Sequence, residues 1–211
     1  MFYRSIFGIC LVIVMGLCVA CRSIPAKVST ATPTEIPAPT ATGVFPFPIY
    51  TDWGVSGSAF VPSGWMGDAG GITLDDAWAE NPYEGETCIH ISYEPQSEGP
   101  GWAGVYWLPS RLDPSQDWGS QVDGKSLNGA ARLSFWARGA EGGEPVEFFV
   151  GGIEGPQGDS LSKKSLTVTL TPEWREYSIN LSGADMSRVV GTFGWAAARK
   201  VEFWIDEVRF E

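Results

Sequence analysis

From residue 49 to residue 211 the chain carries short runs in which apolar and polar residues alternate. This period of two places successive side chains on opposite faces of a β-strand. Clusters of Gly, Pro, Asn and Asp separate the runs, as is typical of tight turns. No run has the longer period of a three-turn helix. The alternation predicts strands over residues 88–93, 104–108, 131–138, 146–151, 164–170, 175–181, 191–196 and 200–210, and one or two more between 53 and 65.

Eight or more strands without intervening helices indicate an all-β fold. Strands that follow one another through turns form antiparallel sheets, and two such sheets packed face to face bury one core. The 26 Gly and 15 Pro residues of the 211-residue chain agree with many turns. The sequence therefore predicts an antiparallel β-sandwich over residues 49–211.

Each predicted strand has one apolar face and one mixed face. In the strand 131–138, Leu133, Phe135 and Ala137 point one way, whereas Trp136 and Arg138 point the other. We expect the apolar faces to build the core and the mixed faces to meet solvent. A face that combines aromatic and polar groups suits a polar, uncharged ligand. The ligand-binding candidates on these faces are Trp136, Arg138, Glu147, Phe149 and Asn180.

The first 21 residues are predicted to be a targeting signal. Arg4 supplies a positive charge, and residues 6–20 form an apolar stretch of about fifteen residues, shorter than the roughly 20 of a membrane-spanning helix. The sequence LCVAC at 17–21 resembles a bacterial lipobox, which implies that Cys21 becomes a lipid-bearing N-terminus. An ordinary signal peptide and an uncleaved anchor are the alternatives. The lipid would hold the protein outside the cytoplasm on the bacterial cell membrane.

Residues 22–48 are rich in Pro, Thr, Ala and Ser and are predicted to be a disordered tether. The charge is divided at the same point. Residues 1–48 carry a net charge of +2, whereas residues 49–211 hold 11 basic and 24 acidic side chains, a net charge of −13. An acidic domain disfavours nucleic acid, whose binding depends on Lys and Arg. It favours a soluble monomer with a neutral partner.

Cysteine and histidine are too few for several kinds of site. Cys88 and His90 are the only two beyond residue 48, which excludes a Cys/His zinc cluster and an intramolecular disulfide in that region. Cys88 is predicted to be a buried apolar side chain, and a reactive thiol is the alternative. His90 is predicted to lie on a surface or in a groove, with a catalytic base as the alternative.

Three segments, WIDEVRF at 204–210, LSFWARG at 133–139 and LTPEWREYSINL at 170–181, together resemble carbohydrate-binding modules with the jelly-roll, galactose-binding-like fold. The closing sequence WIDEVRF at 204–210 is similar to the last strand of such modules. LSFWARG at 133–139 is similar to their central strand, and LTPEWREYSINL at 170–181 to the strand before the last loops. The resemblance spans most of residues 49–211 and implies a non-catalytic domain that binds carbohydrate. It specifies the fold better than the ligand.

The resemblance also implies a structural calcium ion. In these modules an acidic residue of the last strand and one near the domain start often bind calcium, and Asp206 and Asp52 occupy the matching positions. Calcium prefers six to eight oxygen ligands, which a Gly-rich acidic loop can supply. The alternative is that both are solvated or hydrogen-bonded residues at strand ends.

All ten tryptophans follow residue 52. An indole covers the apolar C–H face of a sugar ring, so tryptophans beside Gly-rich loops are further candidates, although most Trp residues of a sandwich pack in its core. Besides Trp136, the candidates for ligand contact are Trp102, Trp107, Trp118 and Trp195.

Three functions fit the sequence. The first is a lipid-anchored, non-catalytic domain that binds a neutral oligo- or polysaccharide. The second is a surface module that binds protein or supports a cell-envelope assembly. The third is a glycoside hydrolase or lyase, which needs two carboxylates across the scissile bond. Glu202, Asp206 and Glu207 lack the even spacing that would align three acids on one strand face.

Overall fold

The computed structural model describes residues 43–55, 59–109, 118–119 and 124–211. The predicted signal peptide, the lipidation site Cys21 and residues 22–42 of the predicted tether lie outside the described residues. Within the described ranges, no helix has the length and apolar character needed to span a membrane.

Strands make up almost all regular structure of the described residues. Every strand pair is antiparallel, and the one helix within the described ranges is a single 3-10 turn at Ala69–Gly71. This confirms the all-β fold. The strands are β1 (Phe47–Tyr50), β2 (Phe60–Gly67), β3 (Ile72–Trp78), β4 (Cys88–Tyr93), β5 (Ala103–Pro109), β6 (Arg132–Gly139), β7 (Pro145–Val150), β8 (Lys164–Thr169), β9 (Arg175–Asn180), β10 (Phe193–Ala197) and β11 (Val201–Phe210).

The strands form two sheets. Sheet A has the order β3-β4-β11-β6-β9, and β1 also pairs with β11. Sheet B has the order β2-β5-β10-β7-β8. Because strands adjacent in sequence often lie in different sheets, the chain crosses repeatedly between the two layers and encloses one main core. The predicted β-sandwich is confirmed.

The core lies between the inner faces that the alternation predicts. Phe135 and Ala137 of β6 are buried in sheet A, and Val146 and Phe148 of β7 are buried in sheet B. The rings of Phe135 and Phe148 meet across the two sheets with their centroids 4.5 Å apart. Burying aromatic area of this kind is the main favourable contribution to folding.

The alternating pattern does not predict two of the strands, β3 and β1. In β3 the pair Asp75-Asp76 interrupts the alternation, and the register with β4 shifts between Asp75 and Trp78. The strand β1 begins at Phe47, two residues before the predicted domain start, and Phe45 and Phe47 pack against the core. The sandwich therefore includes the last residues of the segment that resembles a tether.

Two predicted ligand residues are core residues. Trp107 is 2% exposed and Trp195 is fully buried, so neither indole can stack on a ligand from solvent. Trp107 lies in β5 and Trp195 in β10, where both point inward; the Trp195 ring lies 5.2 Å from that of Phe203. Assigning them to a binding site was wrong, because their Gly neighbours belong to strands rather than to loops.

The thiol of Cys88 is buried and unpaired. Its burial raises its pKa to about 12, far from the range of a reactive thiolate. The prediction of a buried apolar cysteine is confirmed.

Candidate functional site

The remaining ligand-binding candidates divide between the two outer faces of the sandwich. Trp136, Arg138 and Asn180 belong to the outer face of sheet A. Glu147 and Phe149 belong to the outer face of sheet B, because Val146 and Phe148 point inward. The two faces point away from each other, so these residues do not share one groove. Alternation reveals the face of a strand but not the sheet that the strand joins.

The outer face of sheet B contains a groove of about 340 Å³. Trp102, placed directly before β5, is 41% exposed and forms one side of it. Pro145, Glu147 and Thr167 lie along the β7 and β8 side, and Arg199 lies at the end. We call this surface the Trp102 groove; it is lined by Trp102, Pro145, Glu147, Thr167, Ala196, Ala197, Ala198 and Arg199.

The neighbouring end of β2 holds Trp102 in position. The backbone N–H of Asp68 donates to the carbonyl oxygen of Trp102 over 2.9 Å. Gly67 has a φ of +64°, and a Cβ at this position would clash with that carbonyl and lie 3.1 Å from the indole. Only glycine accepts both the left-handed backbone and the close approach at low cost. The backbone that carries the indole is therefore fixed before a ligand arrives, which lowers the entropic cost of binding.

Small residues create the floor of the groove. Met66, Gly104, Ala196 and Glu147 lie side by side across four strands of sheet B. A Cβ at Gly104 would crowd the Trp195 carbonyl and lie 3.2 Å from the Cβ of Ala196. Because these central positions lack bulky side chains, the sheet surface is recessed between Trp102 and Glu147.

Both hydrogen-bond donors and hydrogen-bond acceptors surround this apolar floor. The Glu147 carboxylate forms an ion pair of 2.9 Å with Lys163. The Lys163 ammonium also lies 4.3 Å from the centroid of the Phe149 ring. The Arg199 guanidinium can donate hydrogen bonds, and the Thr167 hydroxyl can donate or accept them. The surface thus offers one indole face together with fixed donors and acceptors.

A second small apolar cluster continues the outer face beyond the groove. Tyr106 packs edge-on against Phe149 at 4.7 Å and against Trp118 at 5.9 Å between ring centroids. The Tyr106 hydroxyl donates to the Gly151 carbonyl over 2.8 Å. Phe149 is only 2% exposed, so it supports this surface from below, whereas Trp118 is 38% exposed. Of the predicted residues, Trp102, Glu147 and Trp118 are thus open to solvent on this side.

Sequence reasoning missed Pro145, Thr167, Ala196 and Arg199. Gly104, Gly194 and Ala196 could have indicated the groove, because small residues inside strands often mark a surface that another group approaches closely. Arg199 lies at the turn between β10 and β11, where alternation carries no information.

On sheet A, the face of Trp136 is already occupied. The Tyr83 ring lies parallel to the Trp136 indole with 3.7 Å between centroids and 12° between planes. The Arg138 guanidinium stacks on Trp204 at 3.8 Å and lies 5.3 Å from the Trp174 ring. These aromatic faces pack against one another, and Tyr83, which is 39% exposed, covers the face of the Trp136 indole on which it stacks.

His90 belongs to this stacked row. Its ring lies 4.3 Å from that of Trp78 and 4.9 Å from that of Trp204, and its Nε2 is 3.0 Å from a Glu202 oxygen. The arrangement fixes the imidazole as part of the covering of sheet A. Asn180, at the end of β9, accepts a hydrogen bond from the Ser182 backbone N–H and is exposed.

Asp206 and Asp52 both hold the loop between β3 and β4. Asp206 is fully buried, and one of its oxygens accepts the backbone N–H groups of Tyr83 and Glu84 at 2.9 and 3.2 Å. Asp52 accepts the N–H groups of Glu86 and Thr87 at 2.8 and 2.7 Å. Burial raises the pKa of Asp206 to about 7 although these hydrogen bonds lower it.

The two carboxylates do not fit the predicted calcium site. N–H groups point their positive ends at the oxygens that a cation would need. Among the described residues, no group of three or more His, Cys, Asp or Glu side chains is placed to hold a metal ion. The geometry agrees with the alternative of hydrogen-bonded residues at strand ends, and calcium itself stays an untested prediction.

Comparisons with known proteins bear on the fold. Neither family models nor curated sequences gave a match. A crystal structure of a family 30 carbohydrate-binding module superposes with a TM-score of 0.54 and 17% identity, covering 80% of this chain and 99% of that one. The family 30 module of a Clostridium thermocellum cellulosomal cellulase superposes with a TM-score of 0.51 at 15% identity, covering 80% of this chain and 98% of that one.

The family 11 module of another cellulosomal cellulase of that organism gives a TM-score of 0.51 at 11% identity, covering 80% of this chain and 95% of that one. Each similarity extends over nearly the whole of the solved module. The identities are low, so the fold is what these superpositions establish. The chain has the antiparallel jelly-roll β-sandwich fold of carbohydrate-binding modules.

Proposed function

We propose that the protein is a non-catalytic domain that binds a neutral oligo- or polysaccharide in the Trp102 groove. The half-exposed indole of Trp102 beside a recessed floor is the observation that carries this proposal. One face of a sugar ring packs on the indole, while Glu147, Thr167 and Arg199 bond its hydroxyl groups. The solved modules of the same fold are named as carbohydrate-binding, which supports the same ligand class.

The groove suits binding better than hydrolysis. Glycosidases use two carboxyl groups about 5–9.5 Å apart on either side of the bond that is cleaved. Glu147 is the one carboxylate among the described lining residues, and it is engaged in an ion pair with Lys163. The described lining therefore lacks the second carboxyl group that this chemistry needs.

Charge favours a neutral ligand. Glu147 is paired with Lys163 beside the groove, and Arg199 adds a positive charge to the lining, whereas residues 49–211 together carry a net charge of −13. A polymer of uronic acids would meet repulsion from the domain at low ionic strength. A neutral polysaccharide meets no such repulsion.

The N-terminal segment supports a location of the protein outside the cytoplasm, attached to the cell membrane. The LCVAC sequence would carry the lipid on Cys21. Residues 22–42 precede the residues that pack on the sandwich, and at about 3.1 Å each when extended they would let the domain reach roughly 65 Å from the membrane. The membrane would then be contacted through the lipid alone.

Affinity electrophoresis in gels that contain neutral glucans, xylans or galactans tests the proposal, with polygalacturonate as the anionic comparison. We expect at least one neutral polymer to retard the protein and Trp102→Ala to weaken binding about tenfold or more. Trp65→Ala is the matched control, because Trp65 is 43% exposed and lies outside the groove. Unchanged mobility in every polymer would refute the proposal and favour a protein-binding module.

A further inference from the structure

A second cavity, of about 230 Å³, lies where β1 and β2 meet at one end of the sandwich. Its floor is apolar and includes the buried side chains Ile49, Phe60 and Trp107. Its rim carries Trp53, which is 62% exposed and is the most exposed tryptophan of the described residues. None of its lining residues belongs to the Trp102 groove.

Trp53 is held at the rim by its backbone. Its N–H donates to the Thr87 hydroxyl oxygen over 2.8 Å, and the Val55 N–H donates to the Asp52 carbonyl over 3.3 Å. The turn therefore fixes the backbone that carries the indole beside the opening, and the indole itself stays exposed. The face of an indole carries partial negative charge, so an indole at this position attracts a cation that enters the cavity.

The cavity contains negative charge without a positive partner. Asp52 and Asp76 contribute to the lining, and none of the described lining residues is Lys, Arg or His. The Asp52 carboxylate already receives hydrogen bonds from the Glu86 and Thr87 backbone. The Asp76 carboxylate receives one from its own backbone N–H, so it keeps acceptor sites for a further donor.

Asp76 is half-buried, and this burial raises the pKa of its carboxyl group. A poorly solvated carboxylate gains more from an arriving cation than an exposed one does. The Tyr50 hydroxyl bonds the Asp76 carbonyl oxygen over 2.7 Å, which fixes the backbone that presents the carboxylate.

We propose that this cavity binds a primary ammonium group carried on a small organic frame, such as an amino sugar or an alkyl diamine. The N–H donors of the ammonium bond the Asp76 carboxylate, its charge lies over the Trp53 indole, and the frame covers the apolar floor. Two carboxylates, both of which already accept backbone hydrogen bonds, fall short of the six to eight oxygens of a calcium site. The overall charge of the domain draws a cation towards this end and repels an anion.

Calorimetric titration of the full chain with glucosamine, glucose and cadaverine tests the assignment. Glucosamine and glucose differ at one position in having an ammonium or a hydroxyl group, and cadaverine carries the ammonium without a sugar. We expect glucosamine to bind about tenfold or more tightly than glucose, and high salt to weaken binding. Binding of cadaverine would show that the sugar frame contributes little, whereas its failure to bind would restrict the ligand to amino sugars.

Two variants locate the site. Asp76→Asn keeps the shape and removes the charge, and it should weaken glucosamine binding about tenfold. Trp53→Ala changes an exposed side chain and should weaken it about two- to fivefold. Glu98→Gln, the same loss of charge at an exposed loop position, should leave it unchanged. Equal binding of glucose and glucosamine, or full affinity in both Asp76→Asn and Trp53→Ala, would overturn the proposal.

Discussion

The ring of Tyr83 lies flat on the indole of Trp136 and covers one face of that indole on the outer side of sheet A. Tyr83 belongs to the loop between β3 and β4, which is also tied down at the Trp174 end, where the indole N–H donates to the Asn81 carbonyl over 3.2 Å. The loop thus acts as a cover for an aromatic surface. On the outer side of sheet A the aromatic rings thus pack against one another, whereas the outer face of sheet B contains the open Trp102 groove.

Removing the Tyr83 ring tests this division. Tyr83→Ala should lower the free energy of unfolding by about 1 kcal/mol, because a stacked aromatic pair contributes on this scale. Polysaccharide binding at the Trp102 groove should be unchanged, and Tyr83→Phe, which keeps the ring, should behave like the native protein. Chemical denaturation and affinity electrophoresis measure the two effects. Loss of polysaccharide binding in Tyr83→Ala would place the ligand on sheet A.

Truncation at two positions tests where the folded domain begins. A chain that starts at residue 43 should unfold at the same denaturant concentration as the full chain. A chain that starts at residue 49 lacks Phe45 and Phe47, which pack on the core, and should lose roughly 2–4 kcal/mol of stability. Equal stability of both truncated chains would show that β1 contributes little before residue 49.

Asp206 should make stability depend on pH. Its pKa is about 7 in the folded protein and about 3.9 in an unfolded chain, so folding favours the protonated carboxyl. The stabilisation from this group is therefore complete below about pH 4 and is lost as the pH rises through 7. The native protein should lose roughly 2–4 kcal/mol relative to Asp206→Asn between pH 4 and pH 8.

Urea denaturation across this pH range gives the difference between the two proteins. Asp185→Asn is the matched control with the opposite sign. Hydrogen bonds from Ser187 lower the pKa of Asp185, so its contribution is present at neutral pH and declines as the pH falls through its folded pKa. A difference between native protein and Asp206→Asn that stays constant with pH would contradict the burial of a titrating carboxyl.

Calcium is tested by thermal melts with chelator and with millimolar calcium. Because backbone N–H groups occupy the Asp206 and Asp52 carboxylates, we expect the two melting temperatures to agree. A ligand that binds the native state alone would instead stabilise it by about 2.7 kcal/mol at a hundredfold excess over its dissociation constant. A lower melting temperature in chelator, abolished by Asp206→Ala, would establish the ion predicted from the sequence.

The lipid anchor is tested by Cys21→Ala. If Cys21 carries the lipid, this variant should leave the membrane fraction and keep the thermal stability of the native domain. Cell fractionation followed by immunoblotting measures the distribution. Retention of the variant in the membrane would indicate that residues 6–20 form an uncleaved anchor.

The alternating pattern of the sequence predicted the core faces well, because burial on one side of a strand constrains every second residue. The inward positions Leu133, Phe135 and Ala137 of β6 are all buried. The same rule missed β3, where Asp75 and Asp76 stand next to each other at a register shift. Local alternation fails wherever a bulge moves one residue out of phase.

The candidate site could be predicted only in part. Trp102 and Glu147 were recognisable by residue type, yet they come together through pairing of β5, β10 and β7, which are far apart in the sequence. Trp107 and Trp195 look like similar candidates in sequence, but they point into the core. Which tryptophan faces solvent depends on strand register, and that is a property of the assembled sheet.

The pairing of β1 with β11 bears on how this domain can be joined to other proteins. Phe47 is the register partner of Phe210, so the chain enters and leaves the sandwich at adjacent positions. Partners in an antiparallel pair have Cα atoms about 4.5–5.5 Å apart. A host protein joined at Phe47 and Phe210 would need to open a surface loop by only about this distance to accept the domain as an insert. Fusion at either end would orient a neighbouring domain in much the same way.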